Sequence, residues 1–153
     1  MERRRQPLTL AAALVVLALA LFAGACGGDD DEETTASAET VDVTAADYSF
    51  DLSATPTADT KEITFENVGE EAHELIFARI NEGYTLEDAI KAEGGKGTAK
   101  LVGRVVAQPG GKAKKPLEVG ELKPGNYAMV CAFRTKDGEP HYSLGQQQEF
   151  VVE

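Results

Sequence analysis

The sequence predicts an all-β fold, an antiparallel Greek-key β-sandwich with one short helical insertion, and three observations predict it. Apolar residues beyond position 40 fall in short runs, several alternating with polar residues at the strand period of two. Turn residues centred on glycine, proline and asparagine separate these runs. No strand–helix–strand rhythm of the kind that builds a parallel sheet is present. A chain of 153 residues with 42% hydrophobic content has room for one ordinary domain with a buried core.

Taken in order, residues 41–43 and 48–52 read as the first strands. Ile63 and Phe65 alternate with Glu62, Thr64 and Glu66 as in a half-buried strand, and Asn67-Val68-Gly69-Glu70 supplies the turn after it. Residues 72–80 are apolar on both alternating sets apart from His73, Glu74 and Arg79, which predicts a strand covered on two sides. The segment 85–93 has a different period. Thr85 is a hydroxyl cap with Asp88 three residues on, Leu86, Ala89 and Ile90 share a face, and Gly94-Gly95 stops the run, so a short helix packed on the sandwich is expected. Residues 101–107, 117–122, 127–133 and 148–152 complete the strands, with Pro124-Gly125 expected in a type II turn.

The first 26 residues are an address and stand outside the fold. Arg3, Arg4 and Arg5 precede an apolar run from Leu8 to Ala23 broken only by Thr9, and the run ends in Ala23-Gly24-Ala25-Cys26. This resembles the bacterial lipoprotein cleavage box, although Ala23 stands where that family usually has leucine. The resemblance implies a signal peptide over residues 1–25, cleavage before Cys26 and a diacylglycerol on its thiol. The protein is then expected on the extracytoplasmic face of the cell membrane, lipid-anchored through Cys26. A transmembrane anchor is the alternative. The apolar run is short for a hydrocarbon core of about 30 Å, and the small residues favour processing. Within residues 26–40 the run GGDDDEETTASAET buries too little to offset its ordering entropy and is expected to be a disordered acidic tether. The folded domain is expected over residues 41–153.

The formal net charge is −11, and loss of residues 1–25 leaves 12 basic and 25 acidic residues, a charge of −13. A chain so acidic has no basic face to neutralise phosphates, which excludes a nucleic-acid partner; neutral or basic partners are expected. With Cys26 consumed by lipid, Cys131 is the one thiol left in an oxidising compartment and needs an explanation.

That explanation lies in two other residues. The chain has two histidines, His73 and His141, and two imidazoles with one thiolate are the ligands of a trigonal type 1 copper site, completed by a weak axial Met, Gln or backbone oxygen. His73 opens a predicted strand. Cys131 lies near the end of another, in phase with Tyr127 and Met129. His141 falls in the loop that follows, and Gln146 opens the last strand in phase with Gln148, Phe150 and Val152. In a sandwich these positions share one pole.

Three runs carry a family resemblance: Phe65-Glu66-Asn67-Val68-Gly69 followed by His73; Leu122-Lys123-Pro124-Gly125-Asn126-Tyr127 leading to Cys131; and Pro140-His141 with Gly145-Gln146. Over roughly residues 41–152 the sequence resembles the cupredoxins, the plastocyanin and azurin type of blue copper protein. The resemblance implies one copper ion held by His73, Cys131 and His141 as equatorial ligands with Gln146 in the axial place, and a one-electron carrier rather than an enzyme. It also implies His141 as the exposed edge through which the electron passes. Three features depart from the family: Gln146 in place of methionine, nine residues between Cys131 and His141, and Glu74 directly after His73.

Other chemistries fit less well. A Cys131–His141 nucleophile and base lacks a third group to orient the imidazole, and structural zinc needs a fourth firm ligand. Copper storage or delivery remains an alternative, because the long loop holding Lys136, Asp137 and Gly138 allows a less rigid site. A metal-free sandwich used for protein interaction is the other, with Cys131 as an inert buried residue. The redox or copper-exchange partner is not legible in the sequence.

Overall fold

In the computed structural model, residues 38–153 are described; the expected signal peptide, Cys26 and all but the end of the tether lie outside them. The described residues form eight strands and one helix: β1 (Thr40–Ala46), β2 (Ser49–Leu52), β3 (Glu62–Asn67), β4 (His73–Ile80), α1 (Leu86–Lys91), β5 (Ala99–Ala107), β6 (Leu117–Glu118), β7 (Gly125–Val130) and β8 (Gln147–Val152). The strands make two sheets, ordered β2-β1-β3-β6 and β5-β4-β7-β8. This is the expected β-sandwich. One pair departs from the antiparallel pattern: β1 and β3 run parallel, Val41 opposite Ile63 and Val43 opposite Phe65.

Strand alternation builds the core. Val41, Val43 and Ala45 of β1, Ile63 and Phe65 of β3, Leu75 and Phe77 of β4, and Tyr127 and Met129 of β7 are all buried between the sheets. The other face of β4 and β7 is apolar as well. There α1 covers Ile80 and Ala128 with Leu86 and Ala89, which explains why the 72–80 segment lacked a polar face. The capping box forms as expected: Thr85 Oγ1 accepts the Asp88 N–H at 3.1 Å, and Asp88 Oδ2 accepts the Thr85 N–H at 2.9 Å.

Three boundaries differ from the sequence reading. The 117–122 strand shrinks to Leu117–Glu118, because Gly120 adopts φ 64° and turns the chain away. The expected type II turn at Pro124-Gly125 is absent; Gly125 has φ 145° and instead opens β7. A tyrosine closes that corner: the Tyr127 hydroxyl accepts the Lys123 N–H at 3.1 Å and donates to the Lys123 carbonyl at 2.9 Å, a tyrosine-corner arrangement known from other sandwiches. Finally β7 ends at Val130, leaving Cys131 just beyond the strand.

Candidate metal centre

The ladder itself delivers three of the four candidate residues to one pole. His73 is the first residue of β4, paired with Ala107 at the end of β5. Val130 pairs with Gln147 in the β7–β8 ladder, and one step further the Cys131 N–H donates to the Gln146 carbonyl at 3.1 Å, so these two residues face each other across the end of the sheet.

His141 arrives by a different route. The nine residues between Cys131 and His141 fold largely into a hairpin of their own, bridged at Arg134 and Pro140 and turned at Gly138, with φ 88°. The excess length is consumed locally and the chain returns to its starting point. The His141 N–H donates to the Phe133 carbonyl at 2.8 Å and the Tyr142 N–H to the Cys131 carbonyl at 3.0 Å. A single 3₁₀ turn, His141–Leu144, follows, and Gly145 closes it at φ 116°. The long loop is therefore tied at both ends, not a loose flap.

These constraints bring His73, Cys131 and His141 together, all fully or almost fully buried. The two Nδ1 atoms lie 3.2 Å apart, and Cys131 Sγ is 3.5 Å from His141 Nδ1 and 4.0 Å from His73 Nδ1. A point equidistant from the corners of that triangle lies about 2.1 Å from each, against metal bonds of roughly 2.0–2.1 Å to imidazole nitrogen and 2.3 Å to thiolate. The donor set and its spacing fit one soft-to-borderline metal ion such as copper.

The outer ring nitrogens meet carboxylates. His73 Nε2 is hydrogen-bonded to Asp47 Oδ1 at 2.9 Å, whereas His141 Nε2 lies 2.9 Å from Glu71 Oε2 without forming a hydrogen bond. An Nε2–H directed outward leaves the Nδ1 lone pair directed inward. The 3.2 Å between the two Nδ1 atoms is then bridged either by a proton on His141 Nδ1 or by a metal ion that both nitrogens ligate. Asp47 is itself anchored, accepting the Glu70 N–H at Oδ2 (2.9 Å) and the Glu71 N–H at Oδ1 (3.3 Å). The Glu70 N–H above all, and then His73, hold its carboxyl below the usual carboxylate range, against the opposing effect of burial.

The thiol is held from two sides by Glu74. Its backbone N–H donates to Cys131 Sγ at 3.4 Å, and its side-chain Oε1 accepts the N–H of Ala132 at 3.1 Å. Glu74 is 2% exposed, and Arg104 of β5 pairs with its other oxygen. Burial pushes the Cys131 thiol up, opposed by backbone N–H groups of Glu74 and Phe133.

Gln146 is also fully buried. Its amide nitrogen donates to the Ala46 carbonyl at 3.1 Å and the Ser49 carbonyl at 3.3 Å, which pins it to the β1–β2 turn, while Oε1 has no hydrogen-bond partner. A buried amide oxygen without a donor is costly. It is an acceptor available at the pole where the other three residues meet. Gln148 is exposed, although the strand period put it in phase with Gln146.

One expectation is corrected. His141 is not an exposed edge: it is 1% exposed, with Glu71 over Nε2 and the Tyr48 ring edge-on at 5.0 Å between centroids. Tyr48 has φ 89°, a strained conformation for a bulky residue, in the turn that also carries Asp47. Asp47, Tyr48 and Glu71 were not singled out in the sequence. Their spacing from the residues they touch follows no short-range motif, and in a chain with 26 acidic residues nothing marks these two carboxylates.

No protein-family model matches the sequence, and no curated protein is similar to it. Among solved structures, the dithionite-reduced auracyanin from the photosynthetic bacterium Roseiflexus castenholzii is similar with a TM-score of 0.54 and 19% identity, over 76% of this chain and 98% of that one. Auracyanin B is similar with a TM-score of 0.46 and 18% identity, over 79% and 91%. The first likeness is one of fold, the cupredoxin-type sandwich that the sequence resembled.

Proposed function

We propose that the chain binds one copper ion through His73, Cys131 and His141, with Gln146 Oε1 as the weak axial donor, and that it carries single electrons. The observation that supports this reading most strongly is the buried triangle of two Nδ1 atoms and one Sγ, sized for a metal ion before any ion is added. The auracyanin fold is consistent with it. Copper bound there supplies a one-electron couple whose potential depends on the axial donor and on hydrogen bonds to the sulfur.

The protein's part is to hold the ligands still. The Glu74 N–H directed at Sγ, the ladder bond between Cys131 and Gln146, the 3₁₀ turn at His141 and the Asp47 hydrogen bond to His73 hold the four residues within one hydrogen-bonded frame. Little then has to rearrange when charge changes. Burial of every ligand favours a carrier over a delivery protein, because handing the ion to another protein needs a ligand that can be reached. A redox partner meets Glu71 and Tyr48 rather than the imidazole they cover. The reading also keeps the lipid on Cys26, which tethers the domain to the extracytoplasmic face of the cell membrane.

Two measurements test this. Metal analysis after Cu(II) loading should give one copper per chain, and His73→Ala and His141→Ala should each weaken its retention; undiminished retention in both variants contradicts the ligand assignment. Cys26→Ser should release the protein from membranes, and an unchanged membrane fraction with normal processing contradicts the anchor.

A further inference from the structure

The two imidazoles proposed as ligands are each backed by a carboxylate, and the better-built of the two contacts involves a residue that nothing in its own strand explains. Asp47 sits in the two-residue turn between β1 and β2 and reaches across to His73, 26 positions later in the chain. The space it occupies is shaped for it. Its carboxylate accepts the backbone N–H groups of Glu70 and Glu71 as well as His73 Nε2–H. Gly69 stands beside it, and a Cβ at position 69 would collide with Asp47 Oδ1 and crowd its backbone nitrogen at 3.0 Å. Asn67, fully buried, fixes the same turn by accepting the Gly69 N–H at 2.8 Å and donating to the Glu71 carbonyl at 2.7 Å. The turn before β4 is thus shaped around one aspartate oxygen aimed at one imidazole.

We propose, on the copper reading above, that Asp47 is the positioning residue of His73: it fixes the Nε2–H tautomer, sets the ring's rotation and raises the basicity of Nδ1 toward the metal. Glu71 lies 2.9 Å from His141 Nε2 without a hydrogen bond, so it adds negative charge behind that ring but does not fix its tautomer. A carboxylate behind an imidazole ligand donates electron density and adds negative charge close to the ion, which favours the more highly charged cupric form. The His73 ring is turned with its lone pair inward before metal arrives, where it can accept a proton from His141 Nδ1 at 3.2 Å, and its metal-side nitrogen becomes a stronger donor once the ion displaces that proton.

The test uses the full chain and the variants Asp47→Asn, Glu71→Gln and Glu70→Gln. Glu70 is the control, since its backbone rather than its side chain meets Asp47. Cu(II) affinity is measured by chelator competition and the potential by redox titration. Removing the charge behind a ligating histidine typically costs 10–100-fold in metal affinity. Asp47→Asn should lose Cu(II) affinity in that range, Glu71→Gln less, and Glu70→Gln under threefold. Where the loss is confined to Cu(II), each tenfold should raise the potential by about 59 mV. Asp47→Asn within threefold of wild type, with an unmoved potential, overturns the proposal.

A second measurement needs neither variant nor copper. The long-range ¹H–¹⁵N spectrum of the metal-free wild-type imidazoles should show His73 protonated at Nε2, whichever nitrogen of His141 carries its proton, and a His73 protonated at Nδ1 with bare Nε2 overturns the proposal even if Asp47→Asn fails to fold. If wild type takes up no copper, the copper reading fails on its own, and this spectrum still decides the role of Asp47.

Discussion

Removing the exposed arginine of the Glu74–Arg104 pair should damage the protein more than neutralising the buried glutamate. The side chain of Glu74 is 3% exposed and that of Arg104 is 51% exposed. Arg104→Met leaves Glu74 with the Ala132 N–H as its hydrogen-bond donor and no countercharge. Stranding a buried charge in this way costs about 3–5 kcal/mol. The thioether chain keeps an apolar contact with Phe133, over whose ring the guanidinium now lies at 5.9 Å, so loss of packing adds little. Glu74→Gln instead keeps an amide oxygen for Ala132 and returns Arg104 to water. It exchanges a charge-assisted hydrogen bond for a neutral one, a loss of about 1 kcal/mol. The double variant carries no stranded charge and should lie near the glutamine variant. With a urea m-value of about 1.5 kcal/mol/M, the midpoint should fall by roughly 2–3 M for Arg104→Met and by about 0.7 M for Glu74→Gln and for the double variant. Equilibrium urea unfolding of the metal-free protein, followed by circular dichroism, measures all four. The reasoning is refuted if Arg104→Met is the milder single change, or if adding Glu74→Gln to it restores nothing.

Tyr127→Phe removes both bonds of the corner hydroxyl and should cost about 1–2 kcal/mol, lowering Tm by roughly 5–10 °C in a thermal melt; an unshifted Tm contradicts the role given to that corner. Because burial raises the Cys131 thiol above the ordinary 9.0, the folded metal-free protein holds that proton where the unfolded chain releases it. The Cys131 contribution to stability is therefore constant below about pH 8.5 and falls as pH rises through 9 and beyond. Cys131→Ala should make the slope between about pH 8.5 and 10 shallower, leaving the part that the raised Tyr48 hydroxyl contributes at higher pH, and an unchanged slope in the variant assigns it to another group. Gln146→Met should raise the potential of the copper-loaded protein by substituting a thioether for the buried amide oxygen, whereas Gln148→Met, at an exposed position, should leave it unchanged; equal shifts, or none in either, remove Gln146 from the axial place.

The parts of the fold that were legible are those set by local chemistry. The Thr85 capping box, the alternation of Ile63 and Phe65 and the two-sided burial of β4 each follow from neighbours within a few residues, and the structure reproduces them. The gathering of His73, Cys131 and His141 was legible because strand ends and one connecting loop impose it on any such sandwich. What escaped was decided between distant segments. The parallel pairing of β1 with β3 depends on a crossover that periodicity does not encode. The covering of His141 by Tyr48 and Glu71 depends on two separate turns, one before β2 and one before β4, folding over the same pole. Glu74 was noticed only as an unusual neighbour of His73; its partner, Arg104, looked like any surface arginine until β5 was seen beside β4. The corner at Pro124-Gly125 misled because its dipeptide has a strong turn preference of its own, which the Tyr127 hydroxyl overrides.

Whether the Cys131 thiolate and the two Nδ1 atoms hold one copper ion is read from the visible absorption spectrum after addition of one equivalent of Cu(II). An intense copper–thiolate band should appear in wild type and disappear in Cys131→Ser, whose hydroxyl cannot replace the soft sulfur donor, with both proteins folded by circular dichroism. A folded wild type that stays colourless, or a Cys131→Ser variant that keeps the band, means that Cys131 does not hold copper.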